Sequence, residues 1–169
     1  MIDITCCFAN NLKRDINYPL SGYAGNILSN EFKSAVSDGY IRFLTSLTNE
    51  QDIVITETLI REKNNSENKK IKIEAVIEKD LFVKGKDNKG NNGDYIKNCM
   101  VNFDSIIIYD ENAAAKFYSV NHYLLYYSTR VILLYDYTDN NRQSDEDEKE
   151  IDDFFIANML YKDVKKLFL

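Results

Sequence analysis

Few residues in this chain have a type and spacing that could do chemistry. His122 is the only histidine, so any Ser/His/Asp or Cys/His arrangement would have to use it. It stands between Asn121 and Tyr123 in a strand-like context, where a satisfied surface or edge histidine is the ordinary reading. Cys99 carries a thiol, but nothing near it in sequence offers a base. "EFK" (Glu31 to Lys33), with Asp15 upstream, has the form of a metal-nuclease acid followed by ExK. A helix is expected there, however, and a two-residue spacing on a helix separates the pair. Asp104, Asp110 and Glu111 would act as paired carboxylates only if the fold converged them.

Metal and phosphate chemistry fare no better. The three cysteines are Cys6, Cys7 and Cys99. Adjacent cysteines rarely bridge, and an odd count leaves one thiol over. A reducing compartment therefore fits better than a disulfide framework. There is no CxxC pair and no second histidine, so a zinc site is not expected. "GKDNKGNNG" (85–93) is not GxxxxGK[ST], and no hydroxyl follows a lysine in it. No catalytic residue, metal ligand or cofactor is assigned from the sequence.

The strongest local signal is electrostatic. "RQSDEDEKEIDD" (142–153) holds seven acids and two bases, and "FFIANML" follows it directly. Ser144 ahead of Asp145, Glu146, Asp147 and Glu148 resembles a helix N-terminus, where unpaired N–H groups and the dipole favour negative charge. Lys162, Lys165 and Lys166 sit at the other end with the favoured sign. This spacing predicts one long C-terminal helix near 145–167. Phe154, Ala157, Leu160, Tyr161, Val164, Leu167 and Phe168 would share its broad apolar side. Ile151, Phe155 and Met159 would form a separate row, covered either within the chain or by a partner. Seven acids exceed what capping needs, because crowded like charges repel. With no glycine among them, a calcium loop is not expected.

The elements that would position these residues read as follows. Residues 1–8 suggest a strand and 9–26 a loop. A short helix is expected near 29–38, capped by Ser29 and stopped by Gly39. Residues 40–48, 52–62 and 71–85 read as strands, the last two as a hairpin around the polar loop 63–70. Residues 86–94 read as a second exposed loop. "SIIIY" (105–109) is continuously apolar, as a central strand or a sandwich core would be. The stretch 122–139 either breaks near Ser128 to Arg130 or forms one long element. The sum is a single α+β domain spanning 1–169, with a mostly antiparallel sheet of six to seven strands.

Composition bounds the function. The chain has 169 residues, is 44% hydrophobic and 28% charged, and carries a net charge of −6. That balance argues against direct nucleic-acid binding, which needs phosphate-neutralising Lys and Arg. Residues 61–97 hold ten basic and seven acidic residues, a net +3, which leaves −9 for the rest. Such a dipolar layout can steer association. Counts of 19 Asn, 18 Ile and 16 Lys are what an AT-rich coding sequence produces, and carry no weight alone. Asp3 stands where a signal peptide wants a basic residue, and no run of apolar residues is long enough for a membrane span. Cytoplasmic location is the expectation. The tyrosines Tyr118, Tyr123, Tyr126, Tyr127, Tyr135 and Tyr137 suit either a sheet or an interface.

The function expected from the sequence is non-catalytic protein binding. In its sharper form the protein is an acidic inhibitor that occupies the basic groove of a nucleic-acid-binding target. The expected binding residues are Asp145, Glu146, Asp147, Glu148, Glu150, Ile151, Phe155 and Met159. The alternatives are an oligomeric accessory protein, as a homodimer built through the last three, and a metal-dependent nuclease or hydrolase.

Overall fold

A computed structural model describes residues 4–13, 22–87, 101–110, 119–136, 156–157, 160 and 162–169, with 84–87 described by backbone alone. Among these are six strands and four helices. They are β1 (Thr5–Asn10), α1 (Gly22–Ser37), β2 (Arg42–Ser46), α2 (Glu50–Asn65), β3 (Lys72–Glu78), α3 (Lys79–Asp87), β4 (Ser105–Tyr109), α4 (Val120–Tyr127), β5 (Arg130–Tyr135) and β6 (Asp163–Phe168). All six strands form one sheet in the order β4-β3-β2-β1-β5-β6. Every neighbouring pair is parallel. This is a doubly wound, Rossmann-like α/β domain, and it corrects the antiparallel α+β expectation.

The reason lies in burial on both faces. Cys6, Cys7, Phe8 and Ala9 of β1 are at most 1% exposed, as are Val131 to Leu134 of β5. A strand covered on both faces reads as a continuous apolar run rather than an alternation. Alternation still sorts the side chains. Cys6, Phe8, Phe43, Ile73 and Ile132 pack with Leu28, Phe32, Ile55 and Leu59 of α1 and α2. Cys7, Ala9, Leu44, Val76, Val131 and Leu133 pack with Leu124 and Leu125 of α4 and with Ala157. Leu81 and Phe82 of α3 lie against Ala75 and Ile77, beside Ile106.

Several elements differ from expectation. Helix α1 begins at Gly22, seven residues before Ser29, and its buried Gly25, Leu28, Ser29, Phe32 and Ala35 recur at helical spacing. Ser29 is therefore an interior residue, donating to Glu62 Oε1 at 2.8 Å. Gly39 does end the unit, with φ of +94°, a conformation that suits glycine. Residues 52–62 are helical, so the hairpin around 63–70 does not form. In its place 66–70 carry the chain from α2 into β3, parallel to β2. Strand β3 gives way directly to α3 at Lys79. The long helix near 145–167 is overturned at its far end, where residues 163–168 pair with β5. The short helix at 122 and the strand after it break at Ser128, one of the two options for that stretch.

Edge strand β6 is fastened by charge. The buried Arg130 of β5 donates Nε to Asp163 and Nη1 to Asp38, each at 2.7 Å. Its guanidinium also sits 4.6 Å over the Tyr40 ring. Burial alone would lower the Arg130 pKa, but the two carboxylates outweigh it and raise it. Lys165 pairs with Glu31 of α1 at 2.7 Å.

Phe43 is fully buried, with ring centroids 4.5 Å from Phe32 and 6.4 Å from Phe8. Phe43→Ala should destabilise the fold by about 3–5 kcal/mol, read as a lowered urea midpoint with an unchanged slope. A loss under ~1 kcal/mol would refute this packing.

Candidate functional site at the carboxyl edge of the sheet

In an open parallel sheet, ligands bind outside the carboxyl ends of the strands, where the strand order reverses. Here the chain steps from β1 outward to β4 and then returns beside β1 as β5. The reversal therefore lies between β1 and β5. Asn10, Asn11, Leu12 and Lys13 leave β1 there, and Asp136 follows β5. Helices α2 and α4 both begin at this edge.

Each of these groups is held by another. Helix α2 is capped by Asn49, whose side chain accepts from the Asp52 N–H at 2.9 Å, and Asp52 returns the bond to the Asn49 backbone. Reciprocal capping of this kind satisfies two of the helix's free donors. Asp52 is only 1% exposed. One of its oxygens accepts from the Thr48 N–H at 2.7 Å, the Thr48 hydroxyl at 2.6 Å and the Asn49 N–H at 3.3 Å. Its other oxygen accepts from Asn10 Nδ2 at 2.8 Å. Asn10 Oδ1 in turn accepts from the Leu12 N–H, which turns the chain out of β1. The Asn10 carbonyl accepts from Asn121 Nδ2 of α4 at 3.1 Å. Lys13 N–H donates to Asp136 at 2.8 Å, closing β1 onto β5. Ser119 caps α4 by accepting from the His122 N–H.

This edge is a net of amide, hydroxyl and carboxylate groups joining β1, α2, α4 and β5. Asn11 is its exception: Nδ2 is buried and without a partner among the described residues. The cap of α2 also places a carboxylate where an anion would otherwise bind. That chemistry suits neutral polar groups better than phosphates.

The residues singled out from the sequence are dispersed. Glu31 and Lys33 both lie on α1 but point to separate ion pairs, with Lys165 and with Glu62. Asp104 and Asp110 flank opposite ends of β4, paired with Lys63 and Lys79. Burial pushes the Asp104 carboxyl up, but Lys63 and the Ile73 N–H outweigh it and hold it below the ordinary range. Cys6 and Cys7 are buried free thiols. Burial pushes Cys6 well up, against thiolate chemistry. Tyr123 and Tyr127 do meet, with ring centroids 4.6 Å apart, but one helical turn apart rather than across a strand. Burial, with Tyr127 beside it, raises the Tyr123 pKa. Among the described residues no three His, Cys, Asp or Glu gather as metal ligands, and no helix is long and apolar enough to cross a membrane. Asp145, Glu146, Asp147, Glu148, Glu150, Ile151, Phe155 and Met159 lie outside the described residues, as do Asp15, Cys99, Glu111 and the loop at 88–94.

The class defined here is an open parallel α/β domain with a self-bonded carboxyl edge. No protein-family model, curated protein or solved structure matches the chain.

Asp52 is the residue on which this edge turns. Asp52→Ala strands the Asn10 amide and the Thr48 and Asn49 donors, and should cost about 2–4 kcal/mol. Asp52→Asn keeps the shape and one acceptor oxygen, and should cost less. Equal losses for the two variants in urea unfolding would contradict the bonding described.

Proposed function

We propose that the protein is a non-catalytic binding protein that recognises a basic protein partner through its acid-rich segment. Strand β6 carries this reading. As the tail of a long helix, Lys162, Lys165 and Lys166 would have balanced the acids of 145–148 along one axis. They instead have partners of their own. Lys162 Nζ donates to the Tyr126 carbonyl at 3.1 Å, Lys165 pairs with Glu31, and Lys166 lies 5.6 Å over the Tyr135 ring. The seven acids of 142–153 fall, by sequence, in the connection from β5 to β6. Three lysines that could have offset those acids are thus engaged elsewhere, and complementary charge on a partner would speed and select association. The sharper form is an inhibitor that fills the basic groove of a nucleic-acid-binding protein.

A different observation favours a second reading. The buried amide of Asn11 beside the strand-order reversal suits a small, neutral polar ligand. A panel of neutral sugars and nucleosides that leaves the melting temperature unmoved would set it aside.

The first reading is tested by affinity capture from host lysate at low and high salt. A stoichiometric basic partner should be retained at low salt and released at high salt. The combined substitution Asp145→Asn, Glu146→Gln, Asp147→Asn and Glu148→Gln should abolish retention without shifting the melting temperature. Undiminished retention by that variant would remove the proposal.

A further inference from the structure

The strands are not all held to the domain in the same way. Cys6 to Ala9 of β1 are at most 1% exposed, with a parallel strand on either side. No residue of β6 from Asp163 to Phe168 is buried, and Phe168 is 48% exposed. Val164 and Leu167 are half-buried, and Leu169 just after the strand is buried. Polar contacts carry much of its attachment. The ladder to β5 is closed at both ends, where the Asp163 N–H donates to the Thr129 carbonyl at 3.1 Å and the Leu169 N–H to the Tyr135 carbonyl at 2.9 Å. Asp163 accepts from Arg130 of β5, and Lys165 pairs with Glu31 of α1. Each partner is provided for when β6 leaves. Arg130, which is buried, keeps its bond to Asp38 and its place over the Tyr40 ring, so no buried charge is stranded. Asp163 is half-exposed already, and Lys165 and Glu31 gain water on the side that β6 uncovers.

We infer that β6 is a releasable strap, which leaves β5 as one cooperative unit while the other strands and their helices stay folded. Stability is not uniform across a fold, and segments with little apolar burial open at lower free energy than the core. Strand β6 meets that condition. Its fastenings act together, because Asp163 and Leu169 close the two ends of one ladder, with Arg130 to Tyr135 in register with Asp163 to Phe168. Release uncovers the N–H and C=O groups that β5 gives to this ladder. It does so without unpacking the layers around Phe43 and Leu124, which lie on opposite faces of the sheet. Closed, the strap covers the edge of β5; open, it gives that edge to solvent. The inference concerns β6 alone and does not depend on the binding reading above.

The test is amide hydrogen exchange of the full chain under native conditions, followed by NMR and corrected for intrinsic rates. The Asp163 and Leu169 amides should exchange at least about a hundredfold faster than the amides of β1. Dilute urea favours openings in proportion to the surface they expose. It should therefore speed exchange in β1 and leave Leu169 nearly unchanged. Asp163→Asn removes the charge at one end of the ladder and should speed the Leu169 amide at the other end at least about tenfold. Glu31→Gln, which removes the partner of Lys165, should act in the same direction. Exchange of β6 and β1 at one common rate overturns the inference, because the strand then leaves only with the whole fold. A Leu169 amide insensitive to both substitutions equally overturns it, because the strand then frays from its end instead of opening as a unit.

Discussion

Burial of β1 on both faces is the constraint from which the rest of this fold follows. Four successive residues, Cys6 to Ala9, are shut off from water. A strand so enclosed needs a strand on each side and a helical layer on each face. Parallel neighbours then require crossovers rather than tight turns. Right-handed crossovers place α1, α2 and α3 on one face while the chain steps away from β1, and α4 on the other when it returns. The same geometry directs every strand's carboxyl end, and the starts of α2 and α4, to one edge. The polar net at Asn10, Asn49, Asp52 and Asn121 is a consequence of that convergence. Where β1 stops being apolar, at Asn10, its side chain must find partners, and the nearest donors and acceptors are the helix caps.

Much of the element inventory was legible in the sequence, but the topology was not. Strands at β1 and β2 announced themselves through apolar runs, and Gly39 marked the end of α1, while the stretch holding α4 and β5 stayed open between two elements and one. Helix α2 was hidden by its composition. Ile53, Val54, Ile55, Thr56, Thr58 and Ile60 are β-branched and carry strand propensity. Tertiary packing overrides that preference. Asp52, Ile55, Thr56, Leu59 and Glu62 are buried at helical spacing, and Thr58 Oγ1 bonds back to the Val54 carbonyl at 3.0 Å. The signal that could have revealed it was the capping box Asn49-Glu50-Gln51-Asp52, with an acid three residues after a capping side chain. Once 52–62 is a helix, the hairpin disappears, β2 and β3 become parallel, and the fold class changes with them.

The C-terminus erred in the opposite direction. Acids early and lysines late fit a helix dipole, and the apolar residues fit a helical face. Asp-Val-Lys-Lys-Leu-Phe also fits an edge strand, with Val164 and Leu167 half-buried and Lys166 and Phe168 exposed. Periodicity over six residues cannot separate the two. What decides is an unpaired neighbour: β5 presents an open ladder and a buried Arg130, and Asp163 supplies the carboxylate that guanidinium lacks. An arginine inside an apolar strand run is itself a sequence clue that an acidic partner must arrive from elsewhere in the chain.

The candidate site was the least legible part, and for a reason tied to composition. Asparagine is so abundant here that its positions were discounted as background, yet Asn10, Asn49 and Asn121 join three elements at the carboxyl edge. Amides suit that task because each carries a donor and an acceptor, so one side chain can satisfy two unlike neighbours. Asn10 does this, donating to Asp52 while accepting from Leu12. A phosphate cradle at the same place would need glycine turns and free helix donors. At α2 no glycine turn is present, and the Asp52 carboxylate already accepts from the Thr48 and Asn49 N–H groups with its own negative charge. The carboxylate that stabilises the helix start is therefore also the group that turns anions away from it.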